Sequence, residues 1–117
     1  MGRPVVHFEI GCRDNQRAAT FYQQLFDWTI EPHGPSSLNI RTGHACGIQG
    51  HITSLGHEPH QYTLFYVEVE DIPAHLARVD ALGGRTLIPE LPVPRGGHFA
   101  WFSDPDGNTV GLYKPPR

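Results

Sequence analysis

The sequence predicts an α+β fold built from two βαβββ modules in tandem, their curved mixed sheets arranged around a cup-like cavity. Three observations carry that expectation. A strand–cap–helix pattern occurs twice at constant spacing, three short strand candidates follow each helix, and a polar, turn-rich segment separates the two copies. The 117 residues form one domain of two such modules, about 4–53 and 62–114, joined by a linker over 54–61.

The first copy opens with an alternating apolar stretch, Pro4 to Cys12. Asp14 follows as a helix N-cap, because its carboxylate satisfies a backbone N–H of the first turn. From Asn15 to Asp27, Ala18, Phe21, Tyr22 and Leu25 recur at i, i+3, i+4 and i+7, which is one apolar face of a helix. Strand candidates then come at Trp28 to Glu31, Leu38 to Arg41 and Gly47 to Thr53, parted by Gly, Pro and Ser.

The second copy starts with the strand Tyr62 to Val69. Asp71 caps a helix that has Pro73 in its first turn and Ile72, Leu76 and Val79 on one face, and Gly83-Gly84 end it in a left-handed turn. Its three strand candidates are Arg85 to Ile88, His98 to Phe102 and Thr109 to Tyr113. The two capping aspartates stand 57 positions apart, and the same offset matches Phe8 to Phe65, Ile10 to Val67, Leu25 to Leu82 and Thr29 to Thr86. A register that holds through strand, cap, helix and strand without a gap marks a duplicated unit.

A four-stranded sheet with one helix has one covered face and one uncovered face. Period-two alternation puts Phe8, Ile10 and Cys12 under the first helix and leaves His7, Glu9 and Gly11 opposite. The same parity buries Phe65, Val67 and Val69 and leaves Leu64, Tyr66 and Glu68 opposite. Uncovered faces carrying His, Glu and Tyr would line a polar cup of the kind in which small molecules bind. Within the last strand stands Gly111, directly after the turn Asp104-Pro105-Asp106-Gly107-Asn108. A glycine in mid-strand marks a close approach by another group.

Composition narrows the function. Nine Lys and Arg against twelve Asp and Glu give a net charge of −3 without long runs of one sign, which argues against a nucleic-acid partner. No apolar run reaches membrane-spanning length and no signal-peptide core is evident at the N-terminus, so a cytoplasmic protein with no membrane partner is expected. Cys12 and Cys46 read as free thiols. Eight histidines are many for this length, and His is both a metal ligand and a group that titrates near neutral pH. Of these, His7, His51 and His98 fall on or beside strand candidates.

The run VVHFEIGCRDNQRAATFYQQLFDW resembles the opening of the glyoxalase, bleomycin-resistance and extradiol-dioxygenase proteins, the vicinal oxygen chelate superfamily. FSDPDGNTVGLY resembles that superfamily's closing turn and strand, and with the paired βαβββ order the resemblance spans nearly the whole chain. It implies a cup in which metal-dependent members gather His, Gln and Glu from the first and fourth strands of each module. Carried over, the first-strand positions are His7 and Leu64, and the last-strand position is Gly111, where Glu is usual. Matching GIQGHI to NTVGLY sets His51 against Gly111, while a slip of one residue sets Gly50 there.

The metal shell implied for this chain is therefore incomplete, with His7 and His51 as candidate ligands for Zn, Ni, Mn or Fe. Glu9 and Glu68 are the candidate catalytic carboxylates, and Tyr66, His98 and Trp101 the candidate substrate-binding residues. Each has a plainer reading. His7 could line the cup bonded to Glu9 or water, His51 could be an exposed strand-end residue, and Trp101 could be core. The resemblance implies a glyoxalase-like protein that binds a small organic molecule, as a metal-assisted lyase or isomerase. The alternatives are a metal-free protein that sequesters its ligand and, less well matched, a dioxygenase-like enzyme. A homodimer is expected in each case.

Overall fold

The computed structural model describes residues 2–94 and 96–116. Its ten elements are β1 (Val5–Gly11), α1 (Asn15–Phe26), β2 (Thr29–Pro32), β3 (Ser37–Arg41), β4 (Gln49–Thr53), β5 (Tyr62–Glu68), α2 (Ile72–Ala81), β6 (Arg85–Pro92), β7 (His98–Ser103) and β8 (Thr109–Lys114). This is the βαβββ order read twice from the sequence, with ends displaced by a few residues. The chain divides into two compact units, His7–Leu64 and the remainder, so that the start of β5 falls in the first and the start of β1 in the second.

In the first unit the strands lie in the order β2-β3-β4-β1, with β4 parallel to β1 and the other pairs antiparallel. Helix α1 starts where Asp14 accepts from the Arg17 N–H at 3.1 Å, as the cap motif predicts. One face of the sheet packs Ile52, Leu38 and Ile40 with Ala19 of the helix, joined by Phe8, Ile10, Cys12 and Trp28. The helix presents a different edge from the one expected. Ala18, Ala19 and Tyr22 turn inward, while Phe21 and Leu25 are exposed. Tyr22 decides this by stacking on Trp28 at 5.6 Å between centroids, which rotates the contact seam toward the small Ala19.

In the second unit the order is β5-β8-β7-β6, with β8 parallel to β5 and the rest antiparallel. Asp71 accepts from the Ala74 N–H at 3.0 Å and starts α2, and Gly83 at φ 96° turns the chain out of it. Ile72 and Leu76 bury with Val69, Ala100 and Leu112, and Val67 joins them. Phe65 does not. It is 43% exposed, against the expectation that it lies under the helix. Each two-residue step along a strand advances about 7 Å, and α2 covers Val67 near the end of β5 and Val69 just beyond it rather than the strand's start. The β7–β8 turn is held by Asp104, which accepts from the side-chain amide of Asn108 and the N–H groups of Asn108 and Asp106. Those bonds, the Asn108 side chain foremost, hold its carboxyl below the usual range. No helix among the described residues is long and apolar enough to cross a membrane.

Candidate functional site

Parallel pairing of β1 with β4 sets His7 opposite Gln49, Phe8 opposite Gly50 and Glu9 opposite His51. Alternation then places His7, Glu9 and His51 on the face that α1 leaves uncovered. In the second unit Tyr66 stands opposite Gly111, the same relation that Glu9 has to His51. The first-module counterpart of Gly111 is thus His51, and Gly50 lies on the helix side beside Phe8. The reading of His51 as an exposed strand-end residue does not hold, since its side chain is 24% exposed and bonded on both ring nitrogens.

The cluster is a chain of four side chains. His7 Nε2 lies 2.7 Å from His51 Nδ1, and His51 Nε2 lies 3.2 Å from Glu9 Oε1. The Tyr62 hydroxyl donates to Glu9 Oε2 in a short hydrogen bond. Glu9 is only 4% exposed, and an ionised carboxylate so buried needs donors, of which the Tyr62 hydroxyl is one. Burial, and after it the neighbouring His51, lowers His7 to about 4, with Glu9 pulling the other way. His7 is then a neutral imidazole at neutral pH. Burial, followed by the bond to Glu9 and its charge, raises the Tyr62 phenol well above its ordinary value, so the phenol stays a donor.

The donor and acceptor roles of the two imidazoles depend on their tautomers, and one assignment makes the line continuous. In that assignment His51 is the Nε2–H tautomer, its Nε2 facing Glu9 Oε1 at 3.2 Å and its Nδ1 serving as the acceptor. His7 then donates from Nε2–H and carries its lone pair on Nδ1.

Two imidazoles and a carboxylate are the right donor chemistry for a transition metal. Their arrangement is not. The donor atoms point at one another in hydrogen-bonded sequence instead of converging on a common point. Among the described residues no group of three or more His, Cys, Asp or Glu is disposed to hold a cation.

The other predicted site residues lie in the second unit. Tyr66 and Trp101 are 6% and 8% exposed, and the Trp101 indole N–H donates to the Tyr66 hydroxyl at 2.9 Å. A Cβ on Gly111 would overlap the Tyr66 ring. This face of the second unit is occupied by the packed pair Tyr66 and Trp101. Glu68 is half-buried; its N–H donates to the Pro4 carbonyl at 2.9 Å, and its residue lines a shallow pocket with Lys114 and Pro116. His98 is half-buried at the start of β7, in register with Lys114 and Pro92. Of the seven residues named from sequence, the structure joins His7, Glu9 and His51 in one cluster and pairs Tyr66 with Trp101.

Tyr62 was missed. The parity that selects Tyr66 and Leu64 also selects Tyr62 two residues earlier, but only the fold brings it to Glu9.

Comparison with known proteins agrees with this architecture. A family model described as the Glyoxalase/Bleomycin resistance protein/Dioxygenase superfamily matches residues 5–112. A glyoxylase-like domain-containing protein of Didymella fabae is 28% identical over 116 residues, 92% of this chain and 91% of that one. The fold is similar to that of methylmalonyl-CoA epimerase from Mycobacterium tuberculosis, with a TM-score of 0.68 at 14% identity over 97% of this chain and 88% of the other. It is also similar to the Mn(II)-bound glyoxalase of Novosphingobium aromaticivorans, with a TM-score of 0.66 at 13% identity over 94% of this chain and 37% of that longer one.

Proposed function

The chain belongs to the glyoxalase/bleomycin resistance protein/dioxygenase superfamily, and from that premise we propose that it binds a small organic molecule on the uncovered face of β1 and β4 and moves a proton on it. The observation that carries this reading is the unbroken line Tyr62–Glu9–His51–His7. A carboxylate that orders one imidazole, which orders a second, is the logic by which a base is held in a single tautomer.

The transfer balances without a further reagent. A proton leaving a carbon beside a substrate carbonyl is taken at His7 Nδ1. His7 passes its Nε2 proton to His51 Nδ1, and His51 passes its Nε2 proton to Glu9 Oε1. The charge that begins on Glu9 ends on the substrate enolate, and return of the same proton from His7 to the neighbouring carbon of an enediolate, on the same face, gives an isomerase. Glyoxalase-like and epimerase relatives make this reaction class reasonable, although their likeness establishes only the fold.

One observation favours a second reading, a ligand-sequestering protein without turnover. The second unit's counterpart face is closed by the bonded pair Tyr66 and Trp101, so aromatic contact predominates there.

A thermal-shift panel of carbonyl compounds, run with and without EDTA and followed by proton–deuterium exchange of each hit in D₂O, tests both. Stabilisation together with exchange that His7→Gln abolishes supports proton transfer. Stabilisation without exchange assigns the sequestering role, and no stabilisation by any compound discards both.

A further inference from the structure

We propose that Tyr62 is a positioning residue of this site, whose hydroxyl holds the Glu9 carboxylate in the one orientation that sets the order of protons along His51 and His7. This deepens the proton-transfer reading and depends on it for its purpose, but not for its test.

The geometry that points to Tyr62 has two independent parts. The hydroxyl donates to Oε2 of Glu9, while His51 lies at the other oxygen, Oε1. Each carboxylate oxygen thus has its own donor, from opposite ends of the group, and rotation about the last Glu9 torsion would break both bonds. A glutamate otherwise turns broadly about that torsion. The second part is steric. The Tyr62 ring lies against the backbone of β1 at Gly11, where any Cβ would overlap three of its ring atoms. Gly11 has no positive φ to require a glycine, so its missing side chain is explained by the seat it leaves for the ring. Tyr62 is thereby fixed at both its body and its tip.

What this fixing does follows along the chain. With Oε2 taken by the phenol, Oε1 faces the His51 Nε2–H. His51 is then held as the Nε2–H tautomer, and His7 must donate to its Nδ1. Without the phenol, a buried carboxylate oxygen loses the donor at Oε2, and the carboxylate loses that hold on its orientation. The imidazoles then lose the constraint that selects one tautomer.

The test needs no substrate. Protein labelled with ¹⁵N in its histidines is recorded by long-range proton–nitrogen NMR at pH 7 for wild type, Tyr62→Phe and Tyr22→Phe. Wild type is expected to show His51 and His7 each as a single Nε2–H tautomer. Tyr62→Phe keeps the ring over Gly11 but removes the hydroxyl, and is expected to lose that single state, with Nδ1–H and Nε2–H forms of His51 both appearing. Tyr22→Phe changes a half-buried tyrosine that stacks on Trp28. It controls for general loosening, and is expected to leave the tautomers as in wild type. An unchanged tautomer pattern in Tyr62→Phe overturns the proposal. So does an Nδ1–H tautomer of His51 in wild type, a result that holds even if the variant fails to fold. Failure of the ligand panel, with these tautomers as expected, would discard the proposed reaction and leave the positioning role intact.

Discussion

Gly111 and Tyr66 share one space: the aromatic ring of Tyr66, opposite in the parallel β5–β8 pair, lies where a side chain on Gly111 would have to begin. That contact explains why the last strand carries a glycine in its middle. The Tyr66 hydroxyl is in turn bonded by the Trp101 indole, so the ring has little freedom to yield. Gly111→Ala should therefore behave as an overpacking mutation and destabilise the protein by about 1–3 kcal/mol. Chemical denaturation measures it, and Tyr66→Leu in the same background should recover part of the loss because the two changes act on one space. A Gly111→Ala protein within about 0.5 kcal/mol of wild type would show that the ring is not fixed.

The two helix caps offer a matched pair of tests. Asp14 and Asp71 each accept from the backbone N–H three residues on, at 3.1 and 3.0 Å. Asp14→Ala and Asp71→Ala are each expected to cost about 1 kcal/mol in urea unfolding. A negligible effect at one cap alone would mean that the duplicated geometry does not carry equal weight in the two modules.

Much of this arrangement was legible before any coordinates because it rests on local rules. Caps, a proline in the first turn, glycines after a helix and period-two strands act over a few residues, and they locate every strand and both helices. Parity alone also put His7 and Glu9 on one face. What it could not supply was the third dimension of the same face. His51 joins Glu9 through the pairing of β1 with β4, a contact 42 positions apart in the chain, and its register was open by one residue from sequence. Phe65 and Leu25 went the wrong way for a related reason. Their alternation or helical spacing was apolar, but which apolar residues become covered depends on where a neighbouring element ends. Trp101 and Tyr66 satisfy each other instead of lining an open surface, a pairing of residues 35 apart that no local pattern announces.

The depressed His7 makes stability depend on pH in a stated direction. Its folded value of about 4 lies below the ordinary value of 6.5, so between these values the unfolded chain binds more protons than the folded one. Stability from this group is complete above pH 6.5 and is lost as pH falls toward 4. The full shift corresponds to about 3 kcal/mol, an upper bound that solvent screening of this partly exposed ring reduces. Urea midpoints between pH 4 and 7 measure the slope, and His7→Gln should flatten it. An equal slope in that variant would move the pH dependence to another group.

Metal binding is the sharpest divide between this chain and the metal-dependent pattern it resembles. Two of the positions that would supply donors are Leu64, which is buried, and Gly111, which has no side chain. The donors that remain, His7, His51 and Glu9, are engaged with one another, and Glu9 also with Tyr62. A cation would have to break at least the His7–His51 and His51–Glu9 bonds before it gained three ligands, and two ligands with water hold such ions weakly. Untagged protein dialysed against Zn²⁺, Ni²⁺ or Mn²⁺ and then against buffer should retain well under one ion per chain by elemental analysis, and EDTA should leave its melting temperature unchanged. Retention of one ion per chain, lost on His7→Gln or His51→Gln, would mean that the hydrogen-bonded cluster opens to admit a metal.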